Sequence, residues 1–286
     1  MFKSNLNQQI FAFFKMSAFG LVWNILFHSV TFTLLVYWIF TSQLGGHPEQ
    51  VRHFNDFWME NQLLFGGLCQ VSLTLFFREE VISFLKHPQS PLARARTVNS
   101  ILRGSLFAIL MVMGLVVSKQ YQFLGFTSAA SPNFLSSYAW ILRFVLITVF
   151  IMAQECFIHA VMFPRLPKNR IRWLPQALAV LTRLGFLSIW FQPSWGELFS
   201  LALLLSWFDD FWEQVGFFVA FFSVTHAGFS LPWLGMTFSG LTLVQPFAET
   251  GLVMVSDRFL EIIAIQGACL ILWIGFKLYN KGARNS

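Results

Sequence analysis

Apolar residues run in long blocks through nearly the whole chain, separated by short polar and basic clusters. A block of about 20 apolar residues is the length of a membrane-crossing helix. The pattern predicts spans near 16–40, 61–77, 101–118, 135–163, 174–192, 196–208, 215–235 and 259–277. The expected fold is therefore all-α: a polytopic transmembrane helix bundle of about eight spans, forming a single transmembrane domain over residues 1–286. The first block is too long for the apolar core of a signal peptide and has no small-residue cleavage site behind it, so it is expected to remain as a span. Ahead of it, Phe2 to Phe14 with Lys3 and Lys15 suits an interfacial helix. The stretch Pro232 to Asp257 is apolar but broken by Gly235, Gly240, Pro246 and Gly251, with Glu249 inside. A re-entrant segment near 236–256 or an external loop fits it better than a ninth span, because irregular backbone at membrane depth needs burial in protein.

Composition agrees with the pattern: of 286 residues 56% are hydrophobic, 18% aromatic and only 11% charged. A soluble domain carries about a quarter charged residues. The net charge of +6 does not point to nucleic acid, since no basic run interleaves with aromatics as a binding patch would. The cations lie in alternate loops instead. Arg78, Lys86, Arg94, Arg96 and Arg103 follow the second block; Arg165, Lys168, Arg170 and Arg172 follow the fourth; Lys277, Lys281 and Arg284 follow the last. Basic loops face the cytoplasm, which predicts eight spans with both termini cytoplasmic. Cys69, Cys156 and Cys269 lie far apart within apolar blocks, the spacing of packing residues rather than of a disulfide framework or a zinc knuckle.

Three side chains break the apolar blocks. Glu155, Arg183 and His226 would lie about 12, 13 and 16 Å from the cytoplasmic ends of their spans at 1.5 Å per residue. Ionisable groups at such depth avoid lipid and mark a site, a partner or a pathway. Glu155 and His159 are four apart, hence on one helical face. They are able to share a proton, hold a water or bind a metal; alternatively His159 is a neutral interface residue one turn from the helix end. Glu155 and Arg183 also suit a structural ion pair between neighbouring spans.

From Tyr138 to Leu234 the arrangement resembles the CAAX protease and bacteriocin-processing (CPBP) family of intramembrane proteases, with a CPBP-like core at about 138–234. That family carries Glu-Glu-x-x-x-Arg on span four, Phe-x-x-x-His on span five and His-x-x-x-Asn/Asp on span seven. Here Gln154-Glu155-Cys156-Phe157-Ile158-His159, Phe186 to Trp190 and His226 to Ser230 stand at those positions. Glu155, Phe186 and His226 match; Gln154, His159, Trp190 and Ser230 replace the first glutamate, the arginine, the second-motif histidine and the final Asn/Asp. The resemblance implies an endopeptidase acting on a membrane-anchored peptide or protein, or a descendant that has lost activity, in a bacterial inner membrane. By position Glu155 would be the base and His226 the group that stabilises the oxyanion or positions water. With His159 they would make a two-His, one-carboxylate set of the kind that holds a divalent metal ion. The rival expectation is a non-catalytic membrane protein, a scaffold, binder or transporter, with a structural Glu155–Arg183 pair. Membrane lipid is the partner common to both.

Overall fold

The computed structural model describes residues 6–41, 48–86, 91–117, 121–126, 134–165, 173–191, 210–229 and 242–246. In chain order these form α1 (Leu6–Thr41), α2 (Pro48–Phe76), α3 (Arg78–Lys86), α4 (Pro91–Val117), β1 (Tyr121–Phe126), α5 (Phe134–Cys156), α6 (Trp173–Trp190), α7 (Phe211–Phe222) and β2 (Thr242–Pro246). α5 runs on into a π-helical turn, Phe157–Met162, and α7 into another, Ser223–Gly228. The fold is helical, as the apolar blocks predict. Among the described residues, three apolar helical stretches, Gln8–Trp38, Ala95–Val117 and Ile141–Arg165, are long enough to cross a membrane, which is compatible with an integral membrane protein. Ala177–Trp190 is a shorter apolar helix.

Helices begin ahead of the expected spans at α1 (Leu6), α2 (Pro48) and α4 (Pro91), and the stretch read as an interfacial helix runs unbroken from Leu6 into α1. Two further differences have identifiable reasons. The helix expected from about 215 begins at Phe211, because the Asp210 carboxylate accepts hydrogen bonds from the backbone N–H groups of Trp212 (2.8 Å) and Glu213 (3.4 Å). That is an N-cap, and Glu213 adds favourable negative charge in the first turn. Within 236–256 the described residues, 242–246, are extended: β2 pairs antiparallel with β1, from Tyr121 opposite Pro246 to Phe126 opposite Thr242. This short ribbon adjoins the end of α4, the one departure from an all-helical chain among the described residues. The spans expected at 196–208 and 259–277 lie outside the described residues.

α1 and α2 pack side by side, α5 lies between α2 and α7, and α4 lies along α7. Aromatic rings fill the interior: Phe107, Phe150, Trp190, Phe191, Phe217 and Phe221 belong to one buried cluster. Phe13, Phe157 and Phe186 belong to a second. α4 and α7 approach most closely through glycine. A Cβ on Gly104 would press into the Phe217 carbonyl oxygen, and one on Gly216 would lie 3.1 Å from the carbonyl oxygen of Thr97. Small residues that let backbones touch are a principal means of joining helices where lipid removes the hydrophobic drive.

A Gly104→Leu substitution is expected to push α4 off α7 and destabilise the fold by about 1–3 kcal/mol or more, the range for overpacking. Gly67→Ala, where an added Cβ meets nothing within 4 Å, should be neutral or stabilising by up to about 1 kcal/mol through helix propensity. Reversible unfolding of both variants in mild detergent checks the contrast.

Candidate functional site

A buried charge in this bundle needs a partner, and Glu155 on α5 finds one on α6. Arg183 donates from Nε to Glu155 Oε1 at 2.6 Å and from Nη2 to Oε2, a two-pronged pair in which both residues are 2% exposed. Bidentate geometry is the strongest arrangement open to these groups. The same Nη2 also donates to Gln214 Oε1 on α7 at 2.7 Å. One guanidinium thus ties three helices together.

His159, on the π-helical turn, completes the set. Its Nε2 lies 2.9 Å from Gln214 Oε1 and 3.6 Å from Glu155 Oε2. The protonation of that nitrogen follows from its neighbours. Arginine only donates, so Gln214 must present its amide oxygen to Arg183. An oxygen that only accepts then requires His159 Nε2 to carry the hydrogen. Phe163, Phe211 and Phe84 ring the imidazole at 4.6, 5.2 and 6.3 Å between centroids. The Cys156, Phe211 and Val215 side chains close the adjoining α5–α7 contact.

The remaining motif residues distribute differently. His226 is fully buried and stacks on Phe222, with centroids 5.7 Å apart and rings 6° from parallel. α5 and α7 run antiparallel, with Gln214 level with His159. From that level Glu155 lies one turn along α5, whereas His226 lies twelve residues along α7 in the same direction. At 1.5 Å per residue the carboxylate and this imidazole are about 12 Å apart along the bundle. The depths read from the apolar blocks brought them nearly level; the earlier start of α7 at Phe211 is what separates them. Phe186 is fully buried against Phe157, 6.1 Å between centroids. Gln154 is buried beside Glu155, but its Oε1 has no hydrogen-bond partner. Ser230 lies outside the described residues.

Trp190 joins a second polar centre. Its Nε1 donates to Asn24 Oδ1 on α1 at 2.8 Å, and Gln70 Nε2 on α2 donates to the same oxygen at 2.7 Å. Asn24, Gln70 and Gln214 escaped the sequence reading, which weighed ionisable groups and passed over neutral amides. The available signal was the same one: a strongly polar side chain inside an apolar block.

A metal ion does not fit the Glu155, His159 and His226 set. The guanidinium already occupies the carboxylate and would repel a dication, His159 presents N–H rather than a lone pair, and His226 stands too far away. No group of three or more His, Cys, Asp and Glu among the described residues is arranged to hold a metal. What the arrangement offers chemically is a neutralised, hydrogen-bonded charge cluster bridging α5, α6 and α7.

No protein-family model matches the chain, and no curated protein or solved structure matches it either.

Removing one member of the pair should be far worse than removing both. Arg183→Met alone is expected to cost about 3–5 kcal/mol of stability, because a carboxylate is left buried without compensation. Glu155→Gln combined with Arg183→Met should recover most of that loss. A double-mutant cycle by chemical unfolding tests it; additive single effects would disprove the coupling.

Proposed function

We propose that this chain is a non-hydrolytic, multi-pass membrane protein, a binding or transport protein whose polar interior is organised by the Glu155–Arg183–Gln214–His159 network. On this reading eight helices span a bacterial inner membrane with both termini cytoplasmic, and the CPBP-like motif positions survive as framework rather than as catalytic machinery. The observation that carries it is the bidentate pair. A general base needs a lone pair directed at a water or substrate proton, and both oxygens of Glu155 are bonded to a permanent cation. The separation of His226 from that carboxylate supports it too, since an oxyanion donor must lie about 3 Å from the reacting oxygen.

The peptidase reading keeps one observation in its favour, the approach of His159 Nε2 to within 3.6 Å of Glu155 Oε2. The two readings part on a single experiment. Purified protein in nanodiscs is incubated with a library of membrane-anchored peptides, alongside Glu155→Gln, His159→Ala and His226→Ala variants. The non-hydrolytic reading expects no cleavage above background in any of the four. It also expects Glu155→Gln with Arg183→Met to assemble in the membrane like the parent. Cleavage by the parent that falls at least 100-fold in Glu155→Gln, the loss typical of a general base, would establish the peptidase instead.

A further inference from the structure

The hydrogen bonds around Asn24 fix the orientation of one amide and leave an acceptor over. The Gly20 carbonyl oxygen only accepts, and Asn24 presents Nδ2 to it at 2.8 Å. Asn24 Oδ1 therefore faces the interior, where the Trp190 indole N–H, which only donates, meets it at 2.8 Å. Gln70 must then turn Nε2 toward that oxygen, as it does at 2.7 Å. Reversing the amide would set two carbonyl oxygens against each other. Gln70 Oε1 is thereby directed away from Asn24, and it is buried with no hydrogen-bond partner.

A second acceptor of the same kind lies on the adjoining helix. Gln154 Oε1 on α5 is also buried without a partner. Two contacts give the register of α2 against α5. A Cβ on Gly66 would lie 3.0 Å from the Phe150 ring, and Phe77, just past the end of α2, packs on Phe157 at 5.6 Å. The helices thus run in the same direction. Gln70 is one turn on from Gly66 and Gln154 one turn on from Phe150, each on the stripe that meets the other helix. The two amides stand within about one helical turn, roughly 5 Å, of each other along the axis.

Two buried acceptors on facing stripes would be satisfied together by a small ligand that donates two hydrogens. The walls are tight; a Cβ on nearby Gly20 would lie 2.8 Å from the Phe186 ring. A cation would find no compensating carboxylate there, since Glu155 is committed to Arg183. Water meets both conditions, and buried waters characteristically bridge two to four otherwise unsatisfied groups. We propose that Gln70 and Gln154 bind a water molecule between α2 and α5. This water extends the Asn24–Gln70–Trp190 centre from α2 to α5. The inference goes beyond the function proposed above and stands without it.

Radiolytic hydroxyl-radical footprinting of the full chain in nanodiscs tests the site, because radicals formed from a bound water label side chains that bulk solvent does not reach. Trp190, 1% exposed, should be labelled several-fold above the equally buried Phe221, and Gln70→Leu or Gln154→Leu should remove the excess. Labelling of Trp190 no greater than that of Phe221 would overturn the proposal. Should either variant fail to fold, an experimental structure of the parent protein that resolves waters decides alone. Density bridging the two Oε1 atoms is expected, and a direct bond from Gln154 Nε2 to Gln70 Oε1 would refute it.

Discussion

A guanidinium and a carboxylate sealed in hydrocarbon have one tolerable arrangement, and the helices must meet so as to provide it. Arg183 reaches Glu155 with two donors and shares one of them with Gln214, so α5, α6 and α7 have to turn particular faces inward. The pair need not stabilise the fold beyond what packed apolar residues would do; burying two charges costs several kcal/mol each before their attraction offsets it. We read its contribution as one of register: the rotation and sliding of the three helices must bring Glu155 and Gln214 to the same guanidinium. His159 depends on that register in turn, since its hydrogen is directed at the amide oxygen that Arg183 orients.

The same logic repeats across the bundle with neutral groups. Asn24 Oδ1 gathers donors from α2 and α6, Ser17 meets Thr182 between α1 and α6 at 2.9 Å, and Trp23 donates to Ser72 between α1 and α2 at 3.0 Å. Meanwhile large apolar side chains such as Phe11, Leu34 and Val117 lie on the outside. An apolar core that also encloses paired polar groups, under so apolar a surface, differs from a water-soluble domain at its surface. It is compatible with a lipid solvent, which does not penalise exposed hydrocarbon and offers polar atoms no partner. Glycines at the α4–α7 contact supply the complementary device, close backbone approach.

This organisation bears on chemistry. The residues that resemble a hydrolase motif occupy neighbouring helices, yet they serve different contacts: Glu155 and His159 one network, Trp190 another, and His226 an aromatic stack farther along α7. Motif spacing conserves the position of a side chain along its helix. It does not conserve the direction in which neighbouring helices present it, and that direction decides whether a carboxylate activates water or neutralises an arginine.

The amino-acid sequence by itself determined the long apolar helices and the need of Glu155 and Arg183 for company, since each follows from local hydropathy and the cost of burying charge. It also placed Glu155 and His159 on one face, since residues four apart are about one turn apart in both α- and π-helical winding. The tertiary structure alone decided the rest: that Gln214 is the third corner of the network, that Asn24 and Gln70 draw Trp190 away from it, and that His226 sits about 12 Å from the carboxylate. These are relations between helices. The rotation and sliding of one helix against another are set by which side chains interlock and which amides find donors, and these pairings join positions up to 166 residues apart in the chain.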